Sequence, residues 1–218
     1  MIEIERTALL VVDIQNDFLP GGALAVPRGD EIIPRVNQIA QGFSRVILTQ
    51  DWHPAGHVSF ASSHAGKSPF ESIELDYGAQ VLWPDHCVQG TSGAELAAGL
   101  DIPDAQAVIR KGYHAHTDSY SAFLEADHRT RTGLAGLLRE LGIERVLVCG
   151  LATDFCVAWT AMDAMAAGFE TWVIEDACRA IDTGGSLAAA RSQWQAAGVR
   201  CVDSAQLDEL RRSDFKLS

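Results

Sequence analysis

The sequence predicts an α/β protein built on a mostly parallel sheet with helices on both faces. Two patterns carry that expectation. Short apolar runs of strand length alternate along the chain with longer segments of helical character. The short runs are apolar at consecutive positions rather than at every second one, as strands covered on both faces require.

In chain order, the strand candidates are Ala8 to Val12, Arg45 to Thr49, Ala107 to Ile109, Arg145 to Cys149, Thr171 to Ile174 and Val199 to Val202. Helical patterns fall near Glu31 to Phe43, Thr132 to Leu141, Phe155 to Ala167, Gly185 to Ala197 and Ala205 to Arg212. Gly142, Gly168 and Gly198 each close a helix before a strand, where a glycine C-cap belongs. The segment 52–100 breaks the rhythm: it is rich in His, Ser, Gly and Pro and shows no strong strand. A loop this long inside a compact domain is usually functional or disordered, and Trp52, Phe60, Phe70, Tyr77 and Trp83 argue against disorder. With no linker or repeat visible, 1–218 reads as a single domain with a long loop segment at about 52–100.

Composition narrows the partners. A chain with 47% hydrophobic and 21% charged residues is an ordinary soluble globular protein. Its formal charge of −12, from 29 acids against 17 bases, argues against nucleic acid and anionic membrane as partners and leaves a small neutral substrate open. The start, Met-Ile-Glu-Ile-Glu-Arg, lacks the features of a signal peptide, and no apolar run approaches the ~18 residues of a spanning helix. The five cysteines are dispersed, odd in number and without CxxC spacing, unlike a disulfide framework or a structural zinc site. A cytoplasmic protein is expected, either monomeric or a homo-oligomer.

In open parallel sheets, ligands bind outside the carboxyl ends of the strands. Asp13 follows the first strand, Asp51 and His53 the second, and Lys111 the third. Behind the fourth, Gly150 breaks the strand, and Thr153-Asp154 offer caps to a helix whose first turn holds Cys156. Unpaired N–H groups and the helix dipole favour a thiolate there. Asp13, Lys111 and Cys156 make chemical sense together: Asp13 accepts the thiol proton, Lys111 stabilises carboxylate and thiolate, and backbone N–H groups around Ala152 and Cys156 hold an oxyanion. Taken singly, Asp13 is equally a turn residue and Lys111 a solvated strand end.

Asp51 and His53, two apart in an extended segment, place both side chains on one side, as metal ligation requires. His57 and His86 are candidates to close the site, and His64 is less well placed. One carboxylate with two or three imidazoles suits a divalent ion, zinc first, with iron and manganese as alternatives. The competing reading is that surface histidines are common and Asp51 caps a loop. His114, His116 and His128 have no comparable setting and read as solvated.

These motifs resemble those of the nicotinamidase/pyrazinamidase group of isochorismatase-like cysteine hydrolases along nearly the whole chain. The resemblance is carried by Val11-Val-Asp-Ile-Gln-Asn-Asp-Phe18, Thr49-Gln-Asp-Trp-His-Pro54, Trp83-Pro-Asp-His-Cys-Val-Gln89, Arg110-Lys-Gly112, Asp118-Ser-Tyr-Ser-Ala-Phe123 and Gly150-Leu-Ala-Thr-Asp-Phe-Cys156. It implies a six-stranded parallel sheet, a triad of Asp13, Lys111 and Cys156, and metal ligands Asp51, His53 and His86. It also implies pyridine-pocket walls at Phe18, Trp83 and Tyr120 and a cis peptide bond between Leu151 and Ala152. Relatives differ in a fourth ligand, which leaves His57 open. The implied activity is hydrolysis of nicotinamide to nicotinate and ammonia through a cysteine thioester, feeding NAD salvage, with pyrazinamide as a further substrate. Two alternatives remain: a related small-amide or isochorismate-type hydrolase, and a non-catalytic metal-binding protein with a redox-sensing Cys156.

Overall fold

β1 (Thr7–Val12) is buried at every position, the mark of a strand covered on both faces. The computed structural model containing it describes residues 4–207. β2 (Val46–Asp51) is equally buried, and β5 (Ala107–Lys111), β6 (Arg145–Leu151), β7 (Glu170–Arg179) and β8 (Arg200–Val202) complete one sheet. Its order is β5-β2-β1-β6-β7-β8, with every neighbouring pair parallel. The regular helices are α1 (Ile33–Ala40), α2 (Leu134–Glu140), α3 (Ala158–Ala166) and α4 (Ser186–Ala197). Gly142, Gly168 and Gly198 each donate a backbone hydrogen bond into the helix end they follow. Among the described residues, no helix is long and apolar enough to cross a membrane.

Three expectations change. The segment 52–100 contains an antiparallel hairpin, β3 (Ser72–Leu75) and β4 (Gly78–Val81), which stands apart from the main sheet. β6 does not stop at Gly150 but runs to Leu151. β7 is ten residues long, far beyond its four-residue apolar centre, because Glu175 to Arg179 continue beside β6 after a register shift. The helix expected from Ala205 to Arg212 lies largely outside the described residues.

Candidate active site

Parallel pairing brings the site together at one rim of the sheet. Asp51 and Lys111 end their strands as direct register partners, so their side chains leave the sheet side by side. Asp13 follows β1 with φ +46, and Thr49, on β2, both donates its hydroxyl to Asp13 Oδ1 (2.6 Å) and accepts the Asp13 N–H (3.1 Å). Lys111 Nζ then reaches Asp13 Oδ2 at 2.8 Å, Asp51 Oδ1 at 2.5 Å, Ser119 O at 3.0 Å and Cys156 Sγ at 3.4 Å. A lysine at 0% exposure is tolerated because every face of its ammonium meets an acceptor.

Cys156 arrives from the other side. Gly150 has φ +121, and a Cβ there would sit 2.1 Å from Val12 O, so only glycine lets β6 press this closely on the end of β1. The Leu151–Ala152 bond is cis. A π-helical turn, Thr153–Val157, follows and leads into α3, with Cys156 on that turn. Thr153 and Asp154 make no helix cap. The Asp154 carboxylate instead accepts from Ile181 N, Asp182 N and Ser186 Oγ, tying the turn to the start of α4.

Burial pushes the Cys156 thiol well above its usual range, and Lys111 only partly opposes this. This direction favours the protonated sulfur, whose proton Asp13 is placed to take. Burial also raises the Asp13 carboxyl, outweighing Lys111, which makes Asp13 a stronger proton acceptor than an exposed aspartate. Asp13 Oδ2 pairs with Lys111 by charge but receives no aligned hydrogen bond among the described residues, so it retains capacity for a proton. Burial would lower Lys111, yet Asp13 and Asp51 more than compensate and keep it an ammonium.

The second cluster shares a residue with the first. Asp51 Oδ2 lies 3.4 Å from His53 Nε2 and 3.7 Å from His86 Nε2. The other ring nitrogens meet backbone carbonyls, His53 Nδ1 with Gly112 O at 2.9 Å and His86 Nδ1 with Pro84 O at 2.8 Å. That pattern leaves both Nε2 lone pairs facing the carboxylate, as a metal-binding imidazole requires. One ligand atom from each of the three residues lies within 4.8 Å of the others, and all three are buried. The donor set fits a divalent ion.

His57 stands beside His53, with ring centroids 4.3 Å apart, and its ligand atoms also group with those of His53 and Asp118. Its Nδ1 meets Ser59 Oγ at 2.7 Å, and its Nε2 faces the carbonyls of His114 (3.0 Å) and Thr117 (3.2 Å). Burial and His53 lower its pKa to about 4, which keeps the ring neutral. His64 bonds Val58 O instead. His114, His116 and His128 are all exposed, as expected, with His114 pairing with the buried Glu125 and His128 stacking on Trp159.

Cys156, Ala152, Asp51, His53 and His86 open into one pocket walled by Phe18, Trp83 and Tyr120, together with Leu24, Phe155 and Ile181. The buried Asp118 also faces it, with no role foreseen. Gln15 was missed as well: it donates to Asp51 O and Ala94 O and accepts from Asp51 N, clamping the backbone of a candidate ligand. A polar residue three positions after a strand, carrying no charge, gives no warning of such a role.

This fold with this rim of polar residues defines a class. The Isochorismatase domain family description matches residues 7–206, and the chain belongs to that family. Within it the chain is similar to nicotinamidases. It is 57% identical over 204 residues to the nicotinamidase of Acinetobacter baylyi, covering 94% of this chain and 95% of the relative. A solved nicotinamidase/pyrazinamidase of Acinetobacter baumannii matches with a TM-score of 0.93 at 60% identity, covering 94% of this chain and all of that one. The zinc complex of a Pyrococcus horikoshii pyrazinamidase matches with a TM-score of 0.75 at 37% identity, covering 91% and 99%.

Proposed function

We propose that this protein is a nicotinamide amidohydrolase that converts nicotinamide and water to nicotinate and ammonia, acts likewise on pyrazinamide, and so feeds NAD salvage. The observation that carries this reading is Lys111, whose Nζ contacts Asp13, Cys156 and Asp51 at once. It joins a thiol and its base to a candidate metal cluster in one apolar-walled pocket. The similarity to the two Acinetobacter enzymes supports the substrate.

Asp13 takes the Sγ proton as the Cys156 sulfur bonds to the carboxamide carbon, and the carbonyl electron pair moves onto oxygen. The backbone N–H groups of Ala152 and Cys156 face that oxyanion. On collapse the C–N bond breaks, Asp13 returns its proton to nitrogen, and ammonia leaves a nicotinoyl thioester. Asp13 then deprotonates water, whose oxygen bonds to the thioester carbon. The C–S bond breaks, Asp13 hands its proton to the sulfur, and nicotinic acid departs, losing its carboxyl proton to ammonia or solvent as nicotinate. Lys111 stays an ammonium throughout, offsetting negative charge on Asp13 and on the sulfur. A divalent ion, zinc first with iron or manganese as alternatives, would be held by Asp51, His53 and His86 and would act as a Lewis acid toward the pyridine nitrogen.

All five cysteines are free, which suits the reducing cytosol. The test of the function is product formation: metal-loaded protein with nicotinamide should release ammonia and nicotinate in equal amounts. Absence of ammonia would refute the reading.

A further inference from the structure

The hairpin β3–β4 sends one fully buried polar side chain toward the pocket, Gln80, at 1% exposure. Its Oε1 accepts from Tyr77 Oη at 2.9 Å. Its Nε2 has two hydrogens, which it donates to Val81 O (2.6 Å) and Asp118 Oδ2 (2.7 Å), and it lies 3.3 Å from Tyr120 Oη. Trp83 Nε1 donates to the same Tyr120 hydroxyl at 2.9 Å. The Tyr120 hydroxyl thus sits between its donor, Trp83 Nε1, and the Gln80 amide packed against it, with Phe155 and Trp159 against the ring at centroid distances of 5.6 and 6.0 Å.

Tyr120 has two faces that matter. One belongs to the substrate pocket beside Cys156. The other closes a separate cavity of about 190 Å³ lined by Tyr77, Gln80, Glu125, Trp159 and Asp163 among others. Shifting one ring would therefore join two spaces.

We propose that Gln80 is a specificity-determining positioning residue: it fixes Tyr120 as the partition between these spaces and so limits the ring substituents that the substrate pocket accepts. The inference rests on the nicotinamide reading above. Glutamine is the residue that fits here. A glutamate would set a second carboxylate against Asp118, and an apolar residue would leave Tyr77, Asp118 and Val81 without their buried partner. The carbon of the substrate ring that matters is C5. With N1 toward the metal ligands and the C3 carboxamide at Cys156, C5 is the ring corner directed away from both.

The test compares nicotinamide with 5-methylnicotinamide on metal-loaded enzyme. Gln80→Met keeps the volume and loses the hydrogen bonds. It should raise KM for nicotinamide about 3- to 10-fold, the size of a lost hydrogen bond or two, with kcat within about 2-fold because the sulfur, base and ammonium are untouched. The ratio of kcat/KM for 5-methylnicotinamide over nicotinamide should rise at least about 10-fold, a change that simple loss of stability does not produce. Tyr120→Phe keeps the ring but removes the hydroxyl that meets Trp83 and Gln80, and it should move the ratio the same way. An unchanged ratio in folded Gln80→Met overturns the inference. If that variant does not fold, an unchanged ratio in Tyr120→Phe overturns it. A wild-type enzyme inert toward nicotinamide would overturn both this inference and the functional reading, whereas an active wild type with an unmoved ratio overturns this inference alone.

Discussion

Lys111 Nζ lies 2.5 Å from Asp51 Oδ1, while the other Asp51 oxygen faces the imidazoles of His53 and His86. One carboxylate therefore belongs to both the nucleophile's charge network and the candidate metal cluster. Treating the two as independent constellations, as their spacing in the sequence suggests, overlooks this contact.

The shared carboxylate gives the first prediction. The negative charge of Asp51 adds to the factors that raise the Cys156 thiol, so removing it should favour the thiolate. In metal-free protein, Asp51→Asn should move the midpoint for alkylation of Cys156 to lower pH and speed alkylation at neutral pH. His86→Ala should leave that midpoint in place, although both variants lose metal. Equal midpoints in all three proteins, read by mass spectrometry of the Cys156 peptide, would show that Asp51 does not act on the thiol.

Asp13 and Lys111 should behave as one unit with Cys156. Asp13→Asn keeps the shape and the Thr49 contact but loses the base, and its kcat should fall by about 10²–10⁴-fold. Adding Lys111→Met should cost little more, because residues serving one step are non-additive. Steady-state ammonia release decides this, and a kcat near wild type in Asp13→Asn would reduce Asp13 to a turn residue.

Gly112 makes a prediction about the metal alone. It has φ +66, and a Cβ at this position would lie 2.4 Å from His53 Cε1, while its carbonyl meets His53 Nδ1. Gly112→Ala should displace the imidazole and weaken zinc binding about 10- to 100-fold, the usual cost of disturbing a ligand's supporting contact. Metal titration against a chromogenic chelator reads it. Wild-type affinity in a folded variant would remove His53 from the ligand set.

Much of this architecture is legible in the sequence because burial writes itself into strands. β1 and the centre of β6 are apolar at consecutive positions, and Asp13 and Cys156 stand out as the polar residues that follow. What stays hidden depends on pairing. The contact between Asp51 and Lys111 follows from the register of β2 with β5, which spacing along the chain does not encode. The hairpin β3–β4 escapes notice because Ser72 to Leu75 is short and half exposed and its partner begins with glycine. Gln80 on that hairpin carries no charge and no motif, so only its four contacts reveal it. The π-helical turn at Cys156 reads in the sequence as an ordinary helix start, because the 3.6-residue apolar pattern does not register one extra residue in a turn.

Benzamide probes the metal's proposed hold on the substrate. It matches nicotinamide in shape but lacks the ring nitrogen, so kcat/KM should fall by at least about 100-fold if that nitrogen meets a Lewis acid. Parallel assays of ammonia release are sufficient. Comparable rates on both amides would detach the Asp51, His53 and His86 cluster from substrate recognition.

The central claim is that sulfur, not metal-bound water, attacks the amide, and nicotinamide turnover by metal-loaded Cys156→Ala tests it most directly. Loss of the nucleophile should lower kcat at least about 10⁴-fold while the variant still binds one equivalent of metal. Ammonia release at a substantial fraction of the wild-type rate would contradict the account and assign the attack to the metal site instead.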